Sequence, residues 1–130
     1  MTDLGTVFKK KSEINSFNEL QYFTGLTEIG NIAFMGCTHL TSVVIPNSVV
    51  SIDSQAFYYC LELESVTIPN SVTTIGYGAF MDCHSLSSIS LPNSLTTISN
   101  GVFSSCYTLT SVTIPNSVLK IDDYAFSGCI

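Results

Sequence analysis

The chain has 130 residues, 45% of them hydrophobic, with ten acidic and four basic side chains and a formal net charge of -6. That length supports one domain with a modest core, and the acidic balance argues against a nucleic-acid partner, because phosphate-backbone binders need clustered positive charge. No segment is apolar over 18 residues, so no transmembrane helix is legible, and the stretch Met1 to Lys11 has no apolar run long enough for a signal peptide.

Three of the four basic residues, Lys9, Lys10 and Lys11, form a single run. The run reads as a solvated stretch inside a leader or poorly ordered segment over residues 1–13. Beyond it the chain is periodic. The phrase VVIPNSV begins at Val43, VTIPNSV at Val66, ISLPNSL at Ile89 and VTIPNSV at Val112, each 23 residues after the last. A fixed period of this size marks a solenoid, in which each coil buries its apolar edge against the next.

Counting back from the clear repeats, residues 14–36 carry a worn copy of the same frame. Phe17 falls at the place of Leu40, Leu20 at that of Val43, Tyr22 at that of Ile45, Leu26 at that of Val49 and Ile29 at that of Ile52. Phe23 and Thr24 replace the Pro-Asn pair, as expected of a terminal coil that shields one end of the core. Four repeats follow at 37–59, 60–82, 83–105 and 106–130, the last without a polar cap. A single domain over 14–130 is therefore expected, with self-association through the uncapped C-terminal end.

Within a repeat, Leu63, Val66 and Ile68 alternate with Ser65 and Thr67. Such alternation with β-branched residues predicts a strand with one solvated face. Successive coils run the same way, so the strands should form one parallel sheet. Pro46, Pro69, Pro92 and Pro115 end the strands, since proline lacks the amide hydrogen a ladder needs. Asn47, Asn70, Asn93 and Asn116 follow, and their side chains are expected to satisfy turn backbone coil after coil.

The return half of a coil is represented by Val72, Ile75, Ala79, Phe80 and Cys83. A short strand is expected near Ile75 and one helical or 3₁₀ turn near Phe80. Phe34, Phe57, Phe80, Phe103 and Phe126 should form a ring column. Ala33, Ala56, Ala79 and Ala125 mark a tight site where Val102 is the one departure. Cys37, Cys60, Cys83, Cys106 and Cys129 share one repeat position, so they read as stacked, buried, reduced thiols.

The segment PNSVTTIGYGAFMDCHSLSSI, from Pro69 to Ile89, resembles the BspA-like, or treponemal, class of bacterial leucine-rich repeats, and SFNELQYFTGLTEIG, from Ser16 to Gly30, looks like an opening of such an array. The resemblance implies an α/β-type solenoid, mostly β. It would be a right-handed leucine-rich-repeat array of 23-residue coils, with a parallel sheet on the concave face and short strands or 3₁₀ and helical turns on the convex face. It also implies an extracellular or cell-surface protein linked to adhesion, whose partner is a host or bacterial surface protein or a glycan. The family supplies no catalytic residues to carry over.

A search for chemistry finds little. His39 and His84 do not share a repeat position, and Cys83 beside His84 is not repeated in other coils. Asp122 and Asp123 have Asp53 as their only acidic repeat-mate, so no calcium or zinc spacing appears. Neither a phosphate-binding loop nor a nucleophile motif is present, and no cofactor is expected. The better candidate is the polar strand face: Ser42 and Val44, Ser65 and Thr67, Ser88 and Ser90, Ser111 and Thr113. Rows of small hydroxyls there offer an uncharged hydrogen-bonding surface to a partner. A structural spacer with no ligand of its own is the alternative. Tyr58, Tyr59, Tyr77, Tyr107 and Tyr124 occupy differing positions and make no continuous strip.

Overall fold

The computed structural model describes residues 2–130; Met1, the first residue of the expected leader, lies outside the described residues. Ten short strands carry the fold: β1 (Ser16–Phe17), β2 (Glu28–Ile29), β3 (Ser42–Val44), β4 (Ser51–Ile52), β5 (Ser65–Thr67), β6 (Thr74–Ile75), β7 (Ser88–Ser90), β8 (Thr97–Ile98), β9 (Ser111–Thr113) and β10 (Lys120–Ile121). Each coil contributes two strands, and every pairing is parallel. The chain is therefore a β-solenoid with little helix, as the 23-residue period predicts.

Alternation sets the first strand of each coil. Val43, Val66 and Ile89, the middle residues of β3, β5 and β7, are buried, while the flanking residues are half-buried in β3 (Ser42 and Val44) and exposed hydroxyl residues in β5 and β7. The second strand buries its last residue, as at Ile52, Ile75 and Ile98. No charged or polar residue is wholly buried among the described residues, though the Ser48 and Ser117 hydroxyls are covered without a hydrogen-bond partner.

The return segment around Phe80 keeps the three-residue bond spacing of the expected helical or 3₁₀ turn but does not continue as a helix. It is a run of tight turns in which amides point alternately along the coil and across it. Phe80 N–H donates to the Val102 carbonyl of the next coil at 3.0 Å, Met81 N–H returns to Gly78 at 3.1 Å, Asp82 N–H donates to Ser104 at 2.9 Å, and Cys83 N–H returns to Phe80 at 3.3 Å. Left-handed backbone at Gly78 (φ 57°) and Asp82 (φ 58°) accompanies the alternation. The device repeats with Gln55 and Tyr59 and with Gly101 and Ser105. Most of these residues are not glycine, so the sequence does not announce the conformation.

Inside the coils the phenylalanines stack as a column. Ring centroids are 5.1 Å apart for Phe34 and Phe57, 5.3 Å for Phe57 and Phe80, 5.8 Å for Phe80 and Phe103, and 5.5 Å for Phe103 and Phe126. A sixth ring joins it: Phe8 stacks on Phe34 at 5.3 Å with planes 5° apart. Residues 2–13 are thus packed on the array, not a detached leader. Leu4 is buried, and Lys10 N–H donates to the Met35 carbonyl in the same ladder bond that Gly36 makes to Tyr58.

Counting back by 23 misplaced this end because the first coil is longer. The Cys37 thiol reaches the Phe8 carbonyl 29 residues earlier, whereas Cys60 reaches Phe34 over 26. The extra residues fall in a 3₁₀ turn, Asn18–Tyr22. Consequently Phe17, not Leu20, pairs with Val43, and Tyr22, expected inside at the place of Ile45, is 75% exposed. From Glu28 onward the count recovers, with Ile29 opposite Ile52.

The expected single sheet is divided. The first strands form β1-β3-β5 and a separate β7-β9 pair, and the second strands form β2-β4-β6 and a separate β8-β10 pair. Both divisions fall at the same junction, between residues 60–82 and 83–105. The asparagine ladder is likewise confined to this junction. Asn70 Oδ1 accepts from Asn93 N–H at 3.1 Å; of the serines that follow the asparagines, Ser71 donates to the Val49 carbonyl and Ser94 to the Val72 carbonyl, while the Ser48 and Ser117 hydroxyls have no partner.

Candidate partner-binding face

All eight residues read as a binding surface lie in first strands, at the positions flanking the inward residue. Ser42 sits in register with Ser65, and Val44 with Thr67. Ser88 is paired with Ser111, and Ser90 with Thr113. Ser65, Thr67, Ser88, Ser90, Ser111 and Thr113 are exposed, whereas Ser42 and Val44 are half-buried. The strands hold these side chains on one face because successive residues of a strand point to opposite sides.

The hydroxyls are largely uncommitted. Ser42 Oγ donates to Asn18 Oδ1 at 3.4 Å. Among the described residues, the other hydroxyls of the face make no side-chain hydrogen bond within the protein. They stand free to exchange water for the donors and acceptors of a ligand. Asn18 was not read from sequence as part of the face. It arrives there through the 3₁₀ turn of the long first coil, where the repeat frame gives no warning.

The remaining polar groups make local contacts. His39 Nδ1 lies 2.8 Å from the Ser12 carbonyl and its Nε2 3.7 Å from Glu62. His84 Nε2 is 3.9 Å from Asp82, and its ring lies 4.7 Å from that of Tyr107. Lys120 and Asp122 form an exposed pair at 2.7 Å, which raises the lysine's proton affinity. No group of three His, Cys, Asp or Glu side chains converges among the described residues.

The cysteines form a buried column of free thiols. Burial is the main cause of their raised pKa values: Cys37 is pushed up to about 11 and Cys106 to about 12, with Cys60 and Cys83 also raised. Such thiols stay protonated near neutrality and make poor nucleophiles. At the last coil, an open apolar groove of about 300 Å³ is lined by Leu109, Val112, Ile114, Ile121, Phe126 and Cys129. These are positions that interior coils cover with the following coil.

Comparison with known proteins agrees with this geometry. Residues 6–130 match the model of the BspA type leucine rich repeat region, in six copies. The match begins ahead of Phe8, consistent with a repeat unit at the N-terminal end. Three solved structures are similar. A leucine-rich repeat protein from T. pallidum shares 40% identity and a TM-score of 0.78, covering 80% of this chain and 49% of that one. One from Bacteroides ovatus shares 40% identity and a TM-score of 0.77, covering 80% and 27%. A leucine rich cell surface protein from Faecalibacterium prausnitzii shares 35% identity and a TM-score of 0.75, covering 88% and 34%. The chain thus spans about half or less of the length of these proteins. A comparison with curated protein sequences gives no match. With a family match over nearly all of its length, the chain belongs to the BspA-type leucine-rich repeat family.

Proposed function

We propose that this chain is a noncatalytic protein-binding or adhesion module of a bacterial surface or secreted protein, and that it binds through the hydroxyl rows of its first strands. The observation that carries this reading is the exposure of Ser65, Thr67, Ser88, Ser90, Ser111 and Thr113 on paired strands without internal side-chain partners. A rigid array of free hydroxyls pays little ordering cost on binding. The extracellular or cell-surface setting is supported by the name of the Faecalibacterium prausnitzii protein. It is also in keeping with a described chain in which no helix is long and apolar enough to cross a membrane.

The test is a pull-down from bacterial and host surface extracts with the wild type and a variant carrying Ser65→Ala, Thr67→Ala, Ser88→Ala and Ser90→Ala. Circular dichroism and thermal melting show whether the variant keeps its fold. Capture of a surface protein by the wild type and its loss in a folded variant support the reading. Equal capture by both places binding elsewhere, and absence of any partner favours a structural spacer.

A further inference from the structure

The junction between residues 60–82 and 83–105 is built unlike its neighbours. At the other junctions described here, amides of the second-strand segment donate to the coil before: Val50 N–H to Thr27, Thr73 N–H to Val50 and Leu119 N–H to Thr96, then Asp53 N–H to Ile29, Gly76 N–H to Ile52 and Asp122 N–H to Ile98. The equivalent amides of Thr96 and Ser99 make no such bond. The Ile75 carbonyl, where the Ser99 amide would dock, instead accepts the Ser99 hydroxyl. The Ser94 hydroxyl likewise donates to the Asn70 and Val72 carbonyls at 2.9 and 2.8 Å. At the Ile75 carbonyl a serine hydroxyl stands where an amide docks in the other coils, whereas the Ser94 bond to Val72 repeats the Ser71 bond to Val49 of the preceding junction, where the amide ladder is kept.

The buried residues differ here too. Leu91, Leu95 and Val102 occupy the places of Ile68, Val72 and Ala79, and all three are buried. Valine in place of alanine adds volume at the tight site beside the ring column, and this junction has the widest ring spacing, 5.8 Å. Close-packed interiors respond to even small volume changes by displacement. The turn side remains knitted: Gly78 N–H donates to Asn100 at 3.1 Å, Phe80 N–H to Val102 at 3.0 Å and Asp82 N–H to Ser104 at 2.9 Å. The first strands are unpaired across the junction, the second-strand side is held through the side chains of Asn70, Ser94 and Ser99, and the turn side is held by backbone bonds.

From this arrangement we infer that the array is two blocks, residues 2–82 and 83–130, hinged along the turn column that joins Phe80 to Phe103. Opening the hinge parts β5 from β7 and β6 from β8. It breaks no strand pairing, because neither pair of strands is paired across the junction, but it releases the Asn93, Ser94 and Ser99 bonds to Asn70, Val72 and Ile75. Solenoid stability is the sum of coil and interface contributions, so a weakened interface divides the array into two cooperative units.

Native-state hydrogen exchange on the full chain, at low and rising urea, tests the hinge. The expected result is two groups of amides. Those of β7, β8, β9 and β10 should open together and at least about tenfold more often than those of β3, β4, β5 and β6. A variant combining Leu91→Ile, Leu95→Val, Ser99→Gly and Val102→Ala restores the residues of the preceding coil at these places. It should merge the two groups. One shared opening in the wild type overturns the inference. So does a boundary at Cys106 that the variant leaves in place, since that is fraying of the last coil alone.

Discussion

The thiol of Cys83 donates to the carbonyl oxygen of Phe57 at 3.3 Å, tying the interior of one coil to the turn of the coil before. Cys60 does the same to Phe34 and Cys106 to Phe80, each at 3.2 Å. The cysteine column thus satisfies a ladder of buried carbonyls that a purely apolar residue would leave with one partner fewer. Serine would donate as well but fill less space, and alanine would fill less and donate nothing.

This column makes stability fall in alkali. Burial pushes the folded thiol of Cys37 up to about 11 and that of Cys106 up to about 12, while an unfolded thiol ionises near 9.0. Below pH 9 both states are protonated and these groups add no pH dependence. Above it the unfolded state loses protons first, so stability drops as pH rises from 9 toward 11. The slope is about 1.4 kcal/mol per pH unit for each thiol that ionises only on unfolding. Urea midpoints at pH 8 to 11 should fall more steeply for the wild type than for Cys83→Ala. Parallel curves would show that the column does not govern the effect.

The ring column predicts unequal costs along the stack. Phe80 is fully buried with rings on both sides, at 5.3 and 5.8 Å. Phe80→Ala should cost about 3–5 kcal/mol, because a central cavity cannot collapse. Phe126 has one ring neighbour at 5.5 Å and is only partly buried, so Phe126→Ala should cost about half as much. Equilibrium urea unfolding of both variants measures the difference, and equal losses would contradict the stack.

Phe8 separates a leader from a structural segment. If residues 1–13 were a detached leader, Phe8→Ala would leave the melting temperature unchanged. Its ring instead covers Phe34 and also lies 4.9 Å from Phe17. A loss of about 1–3 kcal/mol is expected for this half-buried ring. Thermal melting of the variant, and of a chain beginning at Glu13, reads the effect.

Gly76 is demanded by the backbone of the neighbouring coil. An added Cβ would stand 2.7 Å from the Ser54 nitrogen and 2.9 Å from the Asp53 carbonyl carbon. Gly76→Ala should cost about 1–3 kcal/mol through overpacking. Gly78→Ala meets nothing closer than 3.5 Å, and its cost should be about 1 kcal/mol, from left-handed backbone alone. Urea midpoints that rank the two variants in the opposite order would overturn this assignment.

The sequence by itself determined the coil, its length and its contents. Every inward Leu, Val, Ile, Phe and Cys recurs at a fixed place, and repetition forces equivalent residues to stack. The hydroxyl rows were legible for the same reason, since alternation assigns each strand residue a face. What period alone could not reach was whatever departs from it. The three-residue lengthening of the first coil shifted Phe17 and Phe8 out of the counted frame. At the junction after Asp82, the outcome depended on whether the hydroxyl or the amide of Ser99 reached the Ile75 carbonyl. That contest is settled in three dimensions, because a repeat pattern treats the coils as the same.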